Sequence, residues 1–314
     1  MKCKICRGKA VLNLRHHNMA LCKEHFLNWV PKQVEKNIKR YQMFTLDERI
    51  LVAVSGGKDS LALWEILNGL GYQVDGLYIG LGIDGGIDYS QESYRLTTEF
   101  AQARDLHLHV VDVEQDYGMT IPEMAELTNR GKNKPCSICG LNKRHIMNRV
   151  AREHGYDVLA TGHNLDDEAA VLFNNTLSWS SGYLLRQNPV LDAKEGLVRK
   201  VKPLCRMYER EMAAYALLRD INYMYEECPH AAGAKSIYLK ELLNQIEADR
   251  PGAKLVFYTK FLKAKQQGLF NLEEVESDSE LHPCPTCGQP TSAPENCSFC
   301  NMMNRVKAEK QDPN

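Results

Sequence analysis

The chain has 314 residues, 44% of them hydrophobic and 25% charged, a balance that excludes a disordered or collagen-like polymer and allows one full hydrophobic core. Its longest purely aliphatic run, 50–54, is far short of the roughly 20 residues a membrane span requires. The formal net charge of −1 hides two basic runs. Arg130, Lys132, Lys134, Lys143, Arg144, Arg149 and Arg152 fall in a stretch without Asp or Glu, and Lys194, Arg199, Lys200, Lys202, Arg206 and Arg210 in one holding only Glu195 and Glu209. Each suits either a solvated face or a polyanion such as RNA.

The first residues, MKCKICRGK, carry no apolar signal stretch, so the chain is expected to stay in the reducing cytoplasm. Its eleven cysteines are then metal ligands or catalysts before they are disulfides. Two residues lie between Cys3 and Cys6, two between Cys22 and His25, and fifteen between the pairs. Each short knuckle presents two ligands at about 2.0 to 2.3 Å from one ion, and two knuckles close a tetrahedron. This is the spacing of a zinc ribbon or treble clef. His16 and His17 compete for the fourth position but lack the partnership with Cys22 that His25 has.

Beyond this module, β-branched runs at 50–54, 74–80, 108–113 and 157–161 read as buried strands. Amphipathic stretches at 61–70, 90–104, 141–154 and 167–177 lie between and after them, with further helix candidates at 209–220 and 235–248. The alternation predicts an α/β fold, a doubly wound parallel sheet with helices on both faces.

Ser55-Gly56-Gly57-Lys58-Asp59-Ser60 joins the first of these strands to a helix. Glycines let the backbone approach an anion closely, the helix N-terminus turns free N–H groups toward it, and Lys58 and the serine hydroxyls add charge and donors. The spacing is not that of a Walker A loop. A second element, Thr161-Gly162-His163-Asn164-Leu165-Asp166-Asp167-Glu168, begins where the strand 157–161 ends, at the sheet edge where ligands of open α/β folds collect. Asn164 or Asp166 suits a helix cap. Paired acids here could also hold Mg2+ or move a proton, and Asp167 is the favoured one.

Cys136 and Cys139 open the first basic helix, and Cys228 lies far downstream in Glu226-Glu227-Cys228-Pro229-His230. A helix start with cations nearby is expected to lower the Cys139 pKa. Three thiolates on one site suit a metal cluster or persulfide chemistry. A [4Fe–4S] cluster with three protein ligands leaves one iron free for an exogenous sulfur. Cys205 is left over and is assigned to the core. An acidic stretch at 272–281 reads as a linker, after which Cys284, Cys287, Cys297 and Cys300 form C-x2-C-x9-C-x2-C, a second closed, structural zinc module.

Together these residues resemble the tRNA 2-thiolation enzymes of the TtcA/TtuA group, and within it the TtuA-like tRNA 2-thiouridine synthetases. CKIC…CKEH, VAVSGGKDSLALW, PCSICGLNKR, DVLATGHNLDDEA, VKPLCRMYERE, EECPH and CPTC…CSFC carry the resemblance over nearly the whole chain. The two zinc modules point to the uridine branch. The resemblance implies a PP-loop ATP pyrophosphatase fold divided as 1–30, a zinc module; 31–270, the catalytic domain; and 271–314, linker and second zinc module. It implies ATP held by Ala53, Ser55, Gly56, Gly57, Lys58, Asp59, Ser60, Ile79 and Gly162, with Mg2+. It further implies a [4Fe–4S] cluster on Cys136, Cys139 and Cys228, with Lys143, Asp167 and Asp59 catalytic. The expected substrate is uridine 54 of tRNA, with uridine 34 the alternative. The sulfur donor would be a ubiquitin-like thiocarboxylate protein, a persulfide or sulfide, and the enzyme a homodimer. The glycine-rich segment 80–88 is longer than the family's corresponding loop. Two rivals are a PP-loop ligase with an amine nucleophile, which needs no cysteine cluster, and an RNA-binding scaffold without catalysis.

Overall fold

Hydrophobic periodicity sets most of the elements, which a computed structural model describes for residues 1–128, 135–231, 233, 235–268 and 281–311. Arg130, Lys132 and Lys134 of the first basic run lie outside these, as does the acidic stretch up to residue 280.

The chain opens with β1 (Leu12–Leu14) and β2 (Met19–Leu21), an antiparallel pair joined by a 3₁₀ turn, Arg15–His17. Helix α1 (Lys23–Arg40) follows and crosses the expected boundary at residue 30. Its Phe26, Val30, Val34 and Ile38 recur every fourth residue and are buried, the stripe of a helix laid on a core. Next come β3 (Arg49–Val54), α2 (Lys58–Gly69), β4 (Gln73–Gly80), α3 (Tyr89–Gln102) and β5 (Leu108–Asp112). Short α4 (Val113–Tyr117) and α5 (Ile121–Glu126) precede the long α6 (Pro135–Glu153). The chain continues through β6 (Val158–Thr161), α7 (Leu165–Leu177), α8 (Ser181–Arg186), β7 (Val190–Leu191), β8 (Arg199–Val201), α9 (Glu209–Leu218), α10 (Lys235–Asp249) and α11 (Ala253–Gln266). The last module is a hairpin of β9 (His282–Pro283) and β10 (Pro290–Thr291) followed by α12 (Ser298–Gln311).

The central sheet has the order β5-β4-β3-β6-β8-β7. Every pairing is parallel except β7 with β8, so the sheet is mostly parallel rather than wholly so. The antiparallel edge escaped the sequence reading because its strands are two and three residues long and the second sits in a basic run. After β3 the chain winds outward through β4 and β5, then returns to lay β6 on the other side of β3. This reversal opens a crevice at the carboxyl ends of β3 and β6, where open α/β sheets bind ligands.

Alternating residues of β3 feed two cores. Ile50, Val52 and Val54 pack with α1 and α2 on one face, while Leu51 joins Leu77, Ile138, Ile146 and the C-terminal module on the other, as the two-residue period of a strand requires. Among the described residues no helix is long and apolar enough to cross a membrane.

One ion pair anchors α11 beneath the crevice. Lys254, 4% exposed, donates to Asp166 and to Asn244 Oδ1 (2.6 Å). The other Asp166 oxygen accepts from the backbone N–H of Glu209 at 2.8 Å. Removing one member of a buried pair strands the other charge. Lys254→Met is therefore expected to lower stability by about 3–5 kcal/mol in urea denaturation, and adding Asp166→Asn should restore part of the loss.

Candidate active site

The loop after β3 is shaped by contacts that only glycine allows. Gly56 has φ +76°, and a Cβ there would lie 2.8 Å from the Ser93 carbonyl oxygen. From the opposite side, a Cβ on Gly162 would lie 2.9 Å from the Ser60 backbone nitrogen, so the end of β6 abuts the first turn of α2. Ser60 Oγ accepts from Ser55 N (3.2 Å) and donates to the Gly57 carbonyl (3.0 Å), closing the loop on itself. No side chain caps α2, which leaves its first N–H groups available to an anion.

A cleft of about 350 Å³ lies over this turn. Ala53, Ser55, Gly57, Asp59, Ser60, Ile79 and Gly162 line it, as do Lys143 and Asp167. Gly56, packed against Ser93, and Lys58, paired with Asp59 and Glu209, do not line it. Tyr89 and His163 line the cleft as well and were not singled out from the sequence.

Lys58 belongs to a closed circuit. It contacts Asp59 (3.0 Å) and Glu209 (2.9 Å). Glu209 meets Lys240 at 3.3 Å, and Lys240 meets Asp167 at 2.6 Å. Asp167 accepts from the backbone N–H of Asn164 (3.0 Å), and the Asn164 side-chain amide donates to Asp59 (3.2 Å). Asn164 is thus the cap of α7, while Asp166 turns down to Lys254. Burial opposes the charge on Lys58, but Asp59 and Glu209 outweigh it and hold the ammonium above its usual range. Burial pushes the Asp59 carboxyl up, against the pull of Lys58 and Asn164. Glu209 and Lys240 carry no local sequence signal, since only folding brings α9 and α10 to the loop.

The three central cysteines converge beside this cleft. Cys136 and Cys139 lie in the first turns of α6, and Cys228 precedes a 3₁₀ turn, Pro229–Ala231. Cys136 Sγ lies 3.7 Å from the His230 carbonyl oxygen. Burial pushes the Cys139 thiol up; the Lys143 ammonium, one helical turn on, offsets part, while Cys228 and Cys136 add to the rise. The lowered pKa expected for Cys139 is therefore not found, because burial outweighs the helix terminus and its cations. The Tyr89 hydroxyl is near enough to Cys228 and Cys139 to be raised by them, after burial. Tyr89 and Lys143 thus both line the cleft and adjoin the thiols.

The donor set suits a polynuclear cluster. The two terminal quartets have all ligand atoms within 4.8 Å of one another, so each can close on one ion, whereas three thiols match the ligand set that leaves one iron of a [4Fe–4S] cluster open. The segment 80–88 braces them. Gly85 has φ +65°, and a Cβ there would lie 2.0 Å from Pro229 Cγ, so the extra glycines permit a close approach to the Cys228 turn.

In the quartets, Cys6 and Cys22 sulfurs are 3.8 Å apart and Cys287 and Cys297 sulfurs 3.7 Å. Ligands about 2.3 Å from a tetrahedral ion have edges of about 3.8 Å. Cys3, Cys6, Cys22 and His25 form the first quartet and Cys284, Cys287, Cys297 and Cys300 the second. Cys205 is fully buried in the core. Several members of the basic runs are committed to ion pairs: Arg149 with Asp116 (3.1 Å), Arg199 with Glu48 (2.5 Å) and Lys202 with Glu168 (2.7 Å).

A glycine loop at the switch point of this sheet defines a PP-loop nucleotide-binding protein, and residues 30–232 match the PP-loop domain family. Residues 2–27 match the N-terminal LIM domain of 2-thiouridine synthetase TtuA. The chain is 50% identical over 306 residues to the tRNA-5-methyluridine(54) 2-sulfurtransferase of Thermus thermophilus, covering 98% of this chain and 92% of that one. With the enzyme of the same name from Thermotoga maritima it shares 43% over 312 residues, covering 99% and 98%. The solved U34-tRNA thiolase NcsA of Methanococcus maripaludis, with its [4Fe–4S] cluster, has the same fold. Its TM-score is 0.78 at 23% identity, over 98% of this chain and 96% of that one. The chain belongs to the TtuA family of tRNA 2-sulfurtransferases.

Forcing an L-residue into the left-handed region costs about 1–2 kcal/mol before any clash. Gly56→Ala, which also meets Ser93, is expected to weaken ATP binding at least tenfold in isothermal titration calorimetry, with the far-UV circular dichroism unchanged.

Proposed function

We propose that this chain replaces O2 of uridine 54 in tRNA with sulfur, using ATP. The observation that carries the reading is the placement of Lys143 and Tyr89, which line the nucleotide cleft and adjoin the cysteine trio. Activation and sulfur delivery then share one wall. Residues 31–270 form the catalytic part, framed by the modules at 1–30 and 271–314.

In this reading Ala53 and Ile79 flank the nucleoside of ATP, and the loop 55–60 holds its β- and γ-phosphates against the free N–H groups of α2. Asp59 supplies a carboxylate to the accompanying Mg2+. The uracil O2 attacks the α-phosphorus, the bond to the bridging oxygen breaks, and pyrophosphate leaves. Lys143 balances negative charge on the α-phosphoryl group. Asp167, paired with Lys240, takes the N3 proton that O2-adenylation releases. A sulfur nucleophile then attacks C2, the C2–O bond breaks, AMP departs with the former O2, and the proton returns to N3. A [4Fe–4S] cluster on Cys136, Cys139 and Cys228 would keep one iron without a protein ligand, open to the sulfur being delivered.

The remaining roles follow the family resemblance. The quartets hold structural Zn2+, since four protein ligands close each site. Arg144 and Arg152 face the tRNA backbone. The enzyme works in the cytoplasm as a homodimer, supplied by a thiocarboxylated ubiquitin-like protein, a persulfide or sulfide.

The test is position-mapped mass spectrometry of tRNA nucleosides from a strain lacking the gene. A 2-thiouridine derivative should vanish at position 54. Complementation with Cys136→Ser, Cys139→Ser or Cys228→Ser is expected to restore less than about one hundredth of the thiolation, as loss of a residue acting within a unit does. Loss at position 34 instead, or unchanged thiolation, would overturn the assignment.

A further inference from the structure

His16, His17 and Glu211 form a third cluster of ligating groups, apart from the cysteine sites and the nucleotide cleft. The 3₁₀ turn between β1 and β2 carries both imidazoles, with ring centroids 4.2 Å apart, and His16 stacks on Tyr208 at 4.1 Å. Glu211 approaches from the first turn of α9. Its Oε2 accepts from the Tyr208 backbone N–H at 2.9 Å, which leaves Oε1 facing His16 Nε2 at 3.0 Å.

Those two atoms are out of line for a hydrogen bond with each other, and among the described residues neither has another hydrogen-bond partner, although both are buried. The side chains are 9% exposed for His16 and 3% for Glu211. A buried carboxylate oxygen and a ring nitrogen left this way are costly unless a third body satisfies both. One ligand atom from each of His16, His17 and Glu211 lies within 4.8 Å of the others. Ligand atoms about 2.1 Å from one ion sit about 3.0 to 3.4 Å apart at octahedral or tetrahedral angles.

We propose that His16, His17 and Glu211 bind a divalent first-row transition metal ion, Zn2+ foremost, at a site separate from the two cysteine quartets. Two imidazoles and one carboxylate are borderline donors that suit zinc over the hard cations Mg2+ and Ca2+. Three protein ligands leave a coordination position for water. His16 and Glu211 also line an open cleft of about 350 Å³ with Tyr208, Asn244, Glu247 and Lys254, which supplies the entry path a metal site needs. The ion clamps the N-terminal hairpin to the first turn of α9, two residues from Glu209 of the active-site circuit.

The test titrates ZnCl2 into the anaerobic holoprotein after a mild chelator wash that leaves the cysteine-bound metals in place, with total zinc and iron counted by mass spectrometry. One further zinc ion per chain is expected. His17→Ala removes an exposed ring and keeps the packing of His16 on Tyr208; it should weaken this binding at least tenfold. The His16→Ala/His17→Ala double variant should abolish it, with iron content unchanged. No zinc uptake by the wild-type protein, or equal uptake by His17→Ala, would overturn the proposal and leave His16 and Glu211 as an ion pair.

Discussion

Helix N-termini that converge on one point repel one another through their dipoles, and the circuit through Asp59, Lys58, Glu209, Lys240, Asp167 and Asn164 is what makes the convergence stable. Asp59, Asp167 and Glu209 each stand in the first turn of a separate helix, where a carboxylate balances the partial positive charge of the helix end. The two lysines then tie these carboxylates to one another. The crevice is therefore already polarised, and at its floor Asp166 and Lys254 continue the network into the core. Charged groups fixed in place before the nucleotide arrives are the condition for electrostatic catalysis in a preorganised field.

The opposite face of the sheet serves the cysteines. Helix α6 carries Cys136 and Cys139 at one end and meets the C-terminal module farther along. His145 stacks on Phe299 with centroids 3.7 Å apart and 8° between planes. Asn148 donates to Gln289 Oε1 at 3.2 Å, and Gln289 returns a bond to the His145 carbonyl at 3.1 Å. A module far from the reaction thus fixes the helix that presents two of the three thiols.

Much of this was legible in the sequence where the signal is local. The strands at 50–54 and 74–80 and the loop 55–60 were readable because a two-residue period and a glycine turn need no distant partner. The cysteine quartets were readable from spacing alone, whereas the grouping of Cys228 with Cys136 and Cys139 came from the family resemblance. Helix α1 was missed because Pro31 lies inside it and reads as a breaker, although its buried stripe holds the helix together. Lys240 and Glu209 are charged residues on amphipathic helices, indistinguishable from a solvated face until α9 and α10 dock. Cys139 was misjudged because burial, which the chain sequence does not display, outweighs the nearby cations.

The rigidity of α6 also limits how the protein can diverge. An α-helix turns about 100° and rises about 1.5 Å per residue, and six positions separate Cys139 from His145. A single inserted or deleted residue in that interval would swing both thiols to another side of the helix while the docked aromatic pair stayed where it is. The length of the stretch Gly140 to Arg144 is consequently held fixed from both ends, independently of the part Lys143 plays within it.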